Sequence, residues 1–159
     1  ESAGVRLALH PDDPPVSPVR GIGRIFTTPE SIWQAVTDVA PSERHGVAFC
    51  QGTFAAMGAD LAAWARRFGE AGKLFFVHLR DVRGTRDRFV ETFHDDGPTD
   101  MAAMLRLYGE LGFDGPIRPD HAPAMAGEDN ADPGYGALGK LFAVGYVKGL
   151  CEAAGVNVE

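Results

Sequence analysis

The chain has 159 residues, 45% of them hydrophobic and 23% charged, which is the composition of one ordinary globular domain with a core of its own. Its net charge is −7 and no block of Lys and Arg stands out, which argues against a nucleic-acid partner. No apolar run approaches the roughly 20 residues that span a bilayer, which argues against a membrane protein.

The N-terminus, ESAGVRLALHPDD, resembles neither a signal peptide nor a transit peptide. It lacks an initiator Met and enters a strand almost at once, which reads as a segment of a longer protein. The spacing predicts a first strand over 5–10, then a Pro- and Gly-rich loop over 10–24. A helix follows in TTPESIWQAVTDVA, with Thr28 as N-cap, Pro29 in the first helical position and Ile32, Ala35, Val36 and Val39 on its apolar face. A second strand is expected over 46–50, a loop over QGTFAAMG, and a helix over 59–69 whose apolar face holds Leu61, Trp64, Ala65 and Phe68. The third strand is predicted over 74–79, followed by a long polar loop, RDVRGTRDRFVETFHDDGP, of a length that points to function. Asp100 caps a helix over 101–111 that Gly112 stops. A short strand over 115–119 leads into a second long loop, DHAPAMAGEDNADPGYG, and a final helix over about 135–154 reads as mostly apolar and well buried.

The strand-like runs VRLALH, GVAFC, KLFFVH and GPIRPD end at His10, Cys50, His78 and Asp120, one metal-binding residue type per run, in steps of 40, 28 and 42 residues. Parallel strands joined by helices bring their C-terminal ends to one face, so these four residues should converge. Two imidazoles, a thiolate and a carboxylate without local C-x-x-C spacing point to a catalytic metal site and not a structural zinc knuckle. The set suits Mn²⁺, Fe²⁺, Co²⁺ or Zn²⁺, and the thiolate argues against magnesium or calcium. The bland reading of Cys50 alone is a small core residue, and Cys151 reads as packing; both fit a reducing, cytoplasmic setting. HPDDPP reads as a rigid turn that orients His10, with metal binding by Asp12 and Asp13 as the alternative; His45 reads as solvated, and Trp33 and Trp64 as core.

Four βα units in a row are what half of a TIM (β/α)8 barrel looks like, an α/β fold that needs about 250 residues when complete. The expectation is therefore that residues 1–159 form the C-terminal half of one barrel domain. The missing N-terminal half would come from the same or another chain, because an open half exposes two sheet edges. A small doubly wound α/β domain is the alternative.

The runs ALHPDDPP, FCQGT, HLRDV, FVETFHDDGPTDM, RPDH and PGYGALGKL, in this order over residues 7–150, resemble the C-terminal half of the mannonate dehydratase family. The resemblance implies a TIM barrel, a divalent transition metal, most often manganese, and dehydration of D-mannonate to 2-keto-3-deoxy-D-gluconate in hexuronate catabolism. It implies His10, Cys50, His78 and Asp120 as metal ligands, His121 and Tyr135 as the acid/base residues, and Arg80 and His94 at the substrate. A homo-oligomer is also expected. The loops after Arg80 and through GEDNADPGY depart from the family pattern, which leaves the substrate less secure than the metal site.

The chemistry asks for such a set. The C2 proton of an aldonic acid is barely acidic and hydroxide at C3 is a poor leaving group, so a Lewis acid, a base and an acid are all needed. Arg80 offers a planar fork for a carboxylate, and pairing with Asp81 or Asp120 is its bland reading. The competing functional class is a sugar isomerase or epimerase on a related metal-binding barrel.

Overall fold

A computed structural model describes residues 2–156. Strand β1 (Leu7–Leu9) is shorter than the predicted run. Helix α1 (Pro29–Gln34) begins as expected, with the Thr28 hydroxyl accepting from the Ser31 amide, but passes into a π-helical turn over Ala35–Val39. β2 (His45–Cys50) is buried from Gly46 onward.

The QGTFAAMG segment is a helix and not the expected loop. α2 (Gln51–Ala56) starts directly at the end of β2 and packs Phe54 and Ala56 into the core, and Gly58, at φ +77°, ends it. α3 (Leu61–Glu70) is capped by the Asp60 carboxylate, which accepts from the Ala63 amide. Trp33 and Trp64 only border the core. The Arg67 guanidinium lies 4.1 and 4.9 Å from their ring centres, so the two rings shield a cation.

β3 (Leu74–Leu79) matches its predicted span. The polar segment after it holds an antiparallel hairpin, β4 (Val82–Thr85) and β5 (Arg88–Glu91), in place of the expected loop. Along β5, Phe89 and Glu91 turn inward while Arg88 and Val90 face solvent, the period of a half-buried strand. Its charged composition hid this alternation. α4 (Met101–Glu110) is capped by Asp100, and β6 (Ile117–Pro119) completes the strands. α5 (Ala137–Ala154) buries only the stripe Gly139, Ala143, Val147 and Cys151, while Leu138, Leu141 and Val144 are exposed. The expectation of a well-buried last helix is corrected on that point.

The main sheet is parallel throughout, in the order β1-β2-β3-β6. Adjacent parallel strands joined without order reversal by right-handed crossovers place their helices on one face. Val47 and Phe49 of β2 and Val77 and Leu79 of β3 face that side and join Phe54, Phe68, Leu105 and Tyr108 in the core. Each fully buried Phe contributes about 1.5–3 kcal/mol relative to exposure. Ala48 and Cys50, opposite Phe76 and His78, face the other way. This alternation places functional groups on the face that the helices leave open. Among the described residues, no helix is long and apolar enough to cross a membrane.

Candidate active site

In the β2–β3 register, Cys50 lies directly opposite His78. His10 follows β1, and its ring centre is 5.1 Å from that of His78. One donor atom each from His10, Cys50 and His78 lies within 4.8 Å of the others. The His10 Nδ1–H donates to the Pro11 carbonyl at 2.7 Å, which leaves Nε2 with the lone pair a metal needs. Asp120, just past β6, is anchored by its amide to the Leu79 carbonyl at 2.7 Å. Its Oδ2 is 3.5 Å from His78 Nδ1 and its Oδ1 is 3.2 Å from Arg118 Nη2. The structure thus brings three of the expected ligands into one cluster, with Asp120 alongside His78.

Burial disfavours a charged sulfur, yet contacts from His10 and His78, the Arg80 charge and the Thr53 hydroxyl bring the Cys50 thiol down to about 6. Burial likewise opposes an imidazolium at His78, but Asp120 and the Cys50 sulfur outweigh it and raise His78 to about 9. Asp120 is held at about 2 despite burial, by His78, His121 and Arg118. His78 Nδ1 is fully buried and makes no hydrogen bond, with Asp120 Oδ2 beside it at 3.5 Å. An orphaned buried nitrogen beside a thiolate-prone sulfur and a second imidazole fits a borderline or soft divalent cation.

Arg80 is only 2% exposed and is the hub of a second layer. Its Nε and Nη2 grip Glu91 in a two-pronged pair at 3.0 and 2.5 Å, and its Nη1 reaches Asp13 Oδ2 at 2.6 Å and Thr53 Oγ1 at 3.2 Å. The Thr53 hydroxyl donates to Cys50 Sγ at 3.2 Å. Gly52 makes room for this arrangement, because a Cβ there would lie 2.6 Å from Arg80 Cγ. The bland reading gave Asp81 or Asp120 as partners, but Asp81 instead binds the Thr99 amide and hydroxyl. Arg80 offers no open fork to a carboxylate in this arrangement. His94 is also buried. Its Nε2 meets the Leu79 carbonyl at 2.7 Å, and burial lowers its pKa, so it braces the end of β3 as a neutral ring. The HPDD turn is held by Asp12, which accepts from the Phe26 amide and Arg24 Nε, while His45 Nδ1–H donates to the Ala40 carbonyl.

His121 and Tyr135 meet across the second long loop, with His121 Nε2 2.9 Å from the Tyr135 hydroxyl. A bridge between Ala122 and Tyr135 closes the loop. The Glu128 carboxylate accepts from the amides of Met125 and Leu138, both at 2.7 Å, and ties the loop to the start of α5. His121 Nε2 lies 4.0 Å from Asp120 Oδ2, so the His121–Tyr135 pair adjoins the cluster of His10, Cys50 and His78.

The family model for D-mannonate dehydratase (UxuA) matches residues 1–158. The chain belongs to the D-mannonate dehydratase family. It is 37% identical over 157 residues to mannonate dehydratase 2 of Halalkalibacterium halodurans, covering 96% of this chain and 45% of the relative. To the mannonate dehydratase of Chromohalobacter salexigens it is 39% identical over 170 residues, covering 99% and 41%. The crystal structure of mannonate dehydratase from Streptococcus suis serotype 2 superposes with a TM-score of 0.81 at 32% identity, covering 99% of this chain and 47% of that one. A D-tagatose 3-epimerase-like protein shares the fold, at TM-score 0.69 and 20% identity. The chain spans somewhat less than half the length of these dehydratase relatives.

Sequence reasoning missed Glu91, Asp13 and Thr53 as members of the site. Glu91 stood inside the FVETFH run, and its inward period with Phe89 was the available signal. Asp13 reads from sequence as part of a turn or, with Asp12, as a metal ligand, and nothing local ties it to an arginine 67 positions later.

Proposed function

We propose that this chain carries the metal-binding and proton-transfer machinery of a D-mannonate dehydratase, within one half of a (β/α)8 barrel. The observation that carries this is the His10–Cys50–His78 cluster adjoining the His121–Tyr135 pair in a member of that family. His10, Cys50 and His78, with Asp120, would hold a divalent transition metal, manganese being the first choice among Mn²⁺, Fe²⁺, Co²⁺ and Zn²⁺. When bound it supplies Lewis acidity toward the oxygens of a sugar acid. His121 and Tyr135 then divide the proton work. One takes the C2 proton and the other protonates the departing C3 hydroxyl, so that water leaves and the enol reverts to the 2-keto-3-deoxy acid. Arg80 and His94, expected at the substrate, are assigned here to supporting the site, because their donors are engaged within the chain.

The half-barrel reading is supported by the parallel strand order and by the length of the relatives. It is supported too by apolar residues left exposed near the two outer strands, Val5 and Leu7 at one side and Leu141 and Val144 at the other. A complementary N-terminal half would cover them. The two buried thiols Cys50 and Cys151 fit a reducing, cytoplasmic location.

The test is incubation of the manganese-loaded protein with D-mannonate and an assay for a 2-keto-3-deoxy acid. Formation of that product with loss of water is expected. A sugar interconversion without dehydration would move the protein to the isomerase or epimerase class.

A further inference from the structure

Glu91 has no role in the reading above, yet it touches both layers of the site. It lies half-buried at the end of β5. Its two carboxylate oxygens receive Arg80 Nε and Nη2, and Oε1 also stands 3.1 Å from His121 Nδ1. A carboxylate gripped by a guanidinium is ionised, and an ionised carboxylate only accepts hydrogen bonds. Nδ1 facing it at that distance must carry a hydrogen. Whenever the ring carries a single N–H, that hydrogen is then on Nδ1, so Nε2 keeps its lone pair and faces the Tyr135 hydroxyl at 2.9 Å as an acceptor. Behind the ring, Gly134 at φ +87° leaves room that a side chain would take, since a Cβ there would come within 3.2 Å of His121 Cγ.

We propose that Glu91 is a positioning residue that holds His121 in the Nδ1–H tautomer, so that Nε2 faces Tyr135 and the substrate side as the proton acceptor. The catalytic consequence rests on the dehydratase reading; the tautomer itself does not. The competing reading is that Glu91 merely balances the buried Arg80 charge. Asp13 does that too, on the opposite arm of the guanidinium and away from His121. The pair Glu91→Gln and Asp13→Asn therefore separates the two roles.

The experiment is ¹⁵N NMR of the histidine rings in the zinc-loaded protein, with His121 assigned by the signals lost in His121→Gln. The parent protein should show a protonated Nδ1 and a bare Nε2 at His121. Glu91→Gln, which can turn its amide NH₂ toward Nδ1, should mix or invert the two nitrogens, and Asp13→Asn should leave them unchanged. With manganese and D-mannonate, Glu91→Gln should lower kcat by about tenfold to a hundredfold, the range for residues that orient a site through another side chain. KM should stay within about twofold and bound metal should be unaltered. A parent His121 protonated on Nε2 would overturn the proposal, as would equal ring changes in Glu91→Gln and Asp13→Asn. If Glu91→Gln does not fold, the parent spectrum and Asp13→Asn still decide. If the parent spectrum is as expected but D-mannonate is not dehydrated, the functional reading fails and the tautomer assignment stands.

Discussion

The two parts of the site are built on different kinds of backbone. His10, Cys50, His78 and Asp120 come from the ends of four parallel strands, where sheet hydrogen bonds and register set their separations. His121, Tyr135 and Glu91 come from a long loop and a surface hairpin, held by side-chain contacts and by the Glu128 clasp. Metal ligands need fixed spacing, which a sheet supplies. The proton-transfer groups proposed here would need to meet a substrate that enters and leaves, and a loop over the strand ends can admit it. Arg80 joins the two parts, one arm toward Thr53 and Cys50 and the other on Glu91.

That contrast can be broken from either side. The largest effect is expected from Cys50→Ser and Asp120→Asn, which should lose bound metal and with it turnover while the helices persist. Elemental analysis and far-ultraviolet circular dichroism check this, and retained metal in both variants would return Cys50 to a packing role. Next, Tyr135→Phe should keep the metal and lower kcat by about a hundredfold or more, the scale of a lost general acid or base. Unchanged turnover would remove Tyr135 from the proton-transfer pair.

Metal affinity should also depend on pH in a direction the strand-end cluster dictates. His78 is raised to about 9 without metal, so near neutrality it carries a proton that the cation must displace. Cys50, at about 6, is by then already thiolate. Affinity should therefore rise with pH between 7 and 9 and level off above, with protons released as the ion binds near pH 7.5. Calorimetric titration in buffers of different ionisation enthalpy measures it. A pH-independent affinity in that window would mean that the His78 nitrogen is already free.

A smaller effect tests the junction. Gly52→Ala should push Arg80 from its place and destabilise the protein by about 1–3 kcal/mol, the usual cost of overpacking a filled site. A thermal melt reads the loss, and both metal affinity and kcat should fall together. If only one of them moves, Arg80 does not couple the two parts. The smallest change is expected from Glu128→Ala, which frees the loop carrying Tyr135 without touching the metal ligands. It should raise KM severalfold and leave bound metal unchanged, and steady-state kinetics would show it.

The uneven legibility of the two parts has the same origin. Apolar runs leading into His10, Cys50, His78 and Asp120 have the signature of buried parallel strands, and one polar residue at the end of each is conspicuous. The hairpin was lost in charge. Arg83, Arg86, Asp87 and Arg88 made its segment look like a wet loop, and only Phe89 and Glu91 betrayed the period of two. α2 escaped because it follows β2 without a turn, and its glycine sits where a guanidinium passes.

The amino-acid order alone settled which residue types stand at the ends of the sheet strands, because strand periodicity and helix capping are local properties written every two to four residues. Which groups pair across distance was decided only by the folded chain. Arg80 finds Asp13 67 positions away, and Glu91 finds His121 30 positions away. Such pairings depend on strand register and on which buried charge must be matched, and no local pattern encodes either.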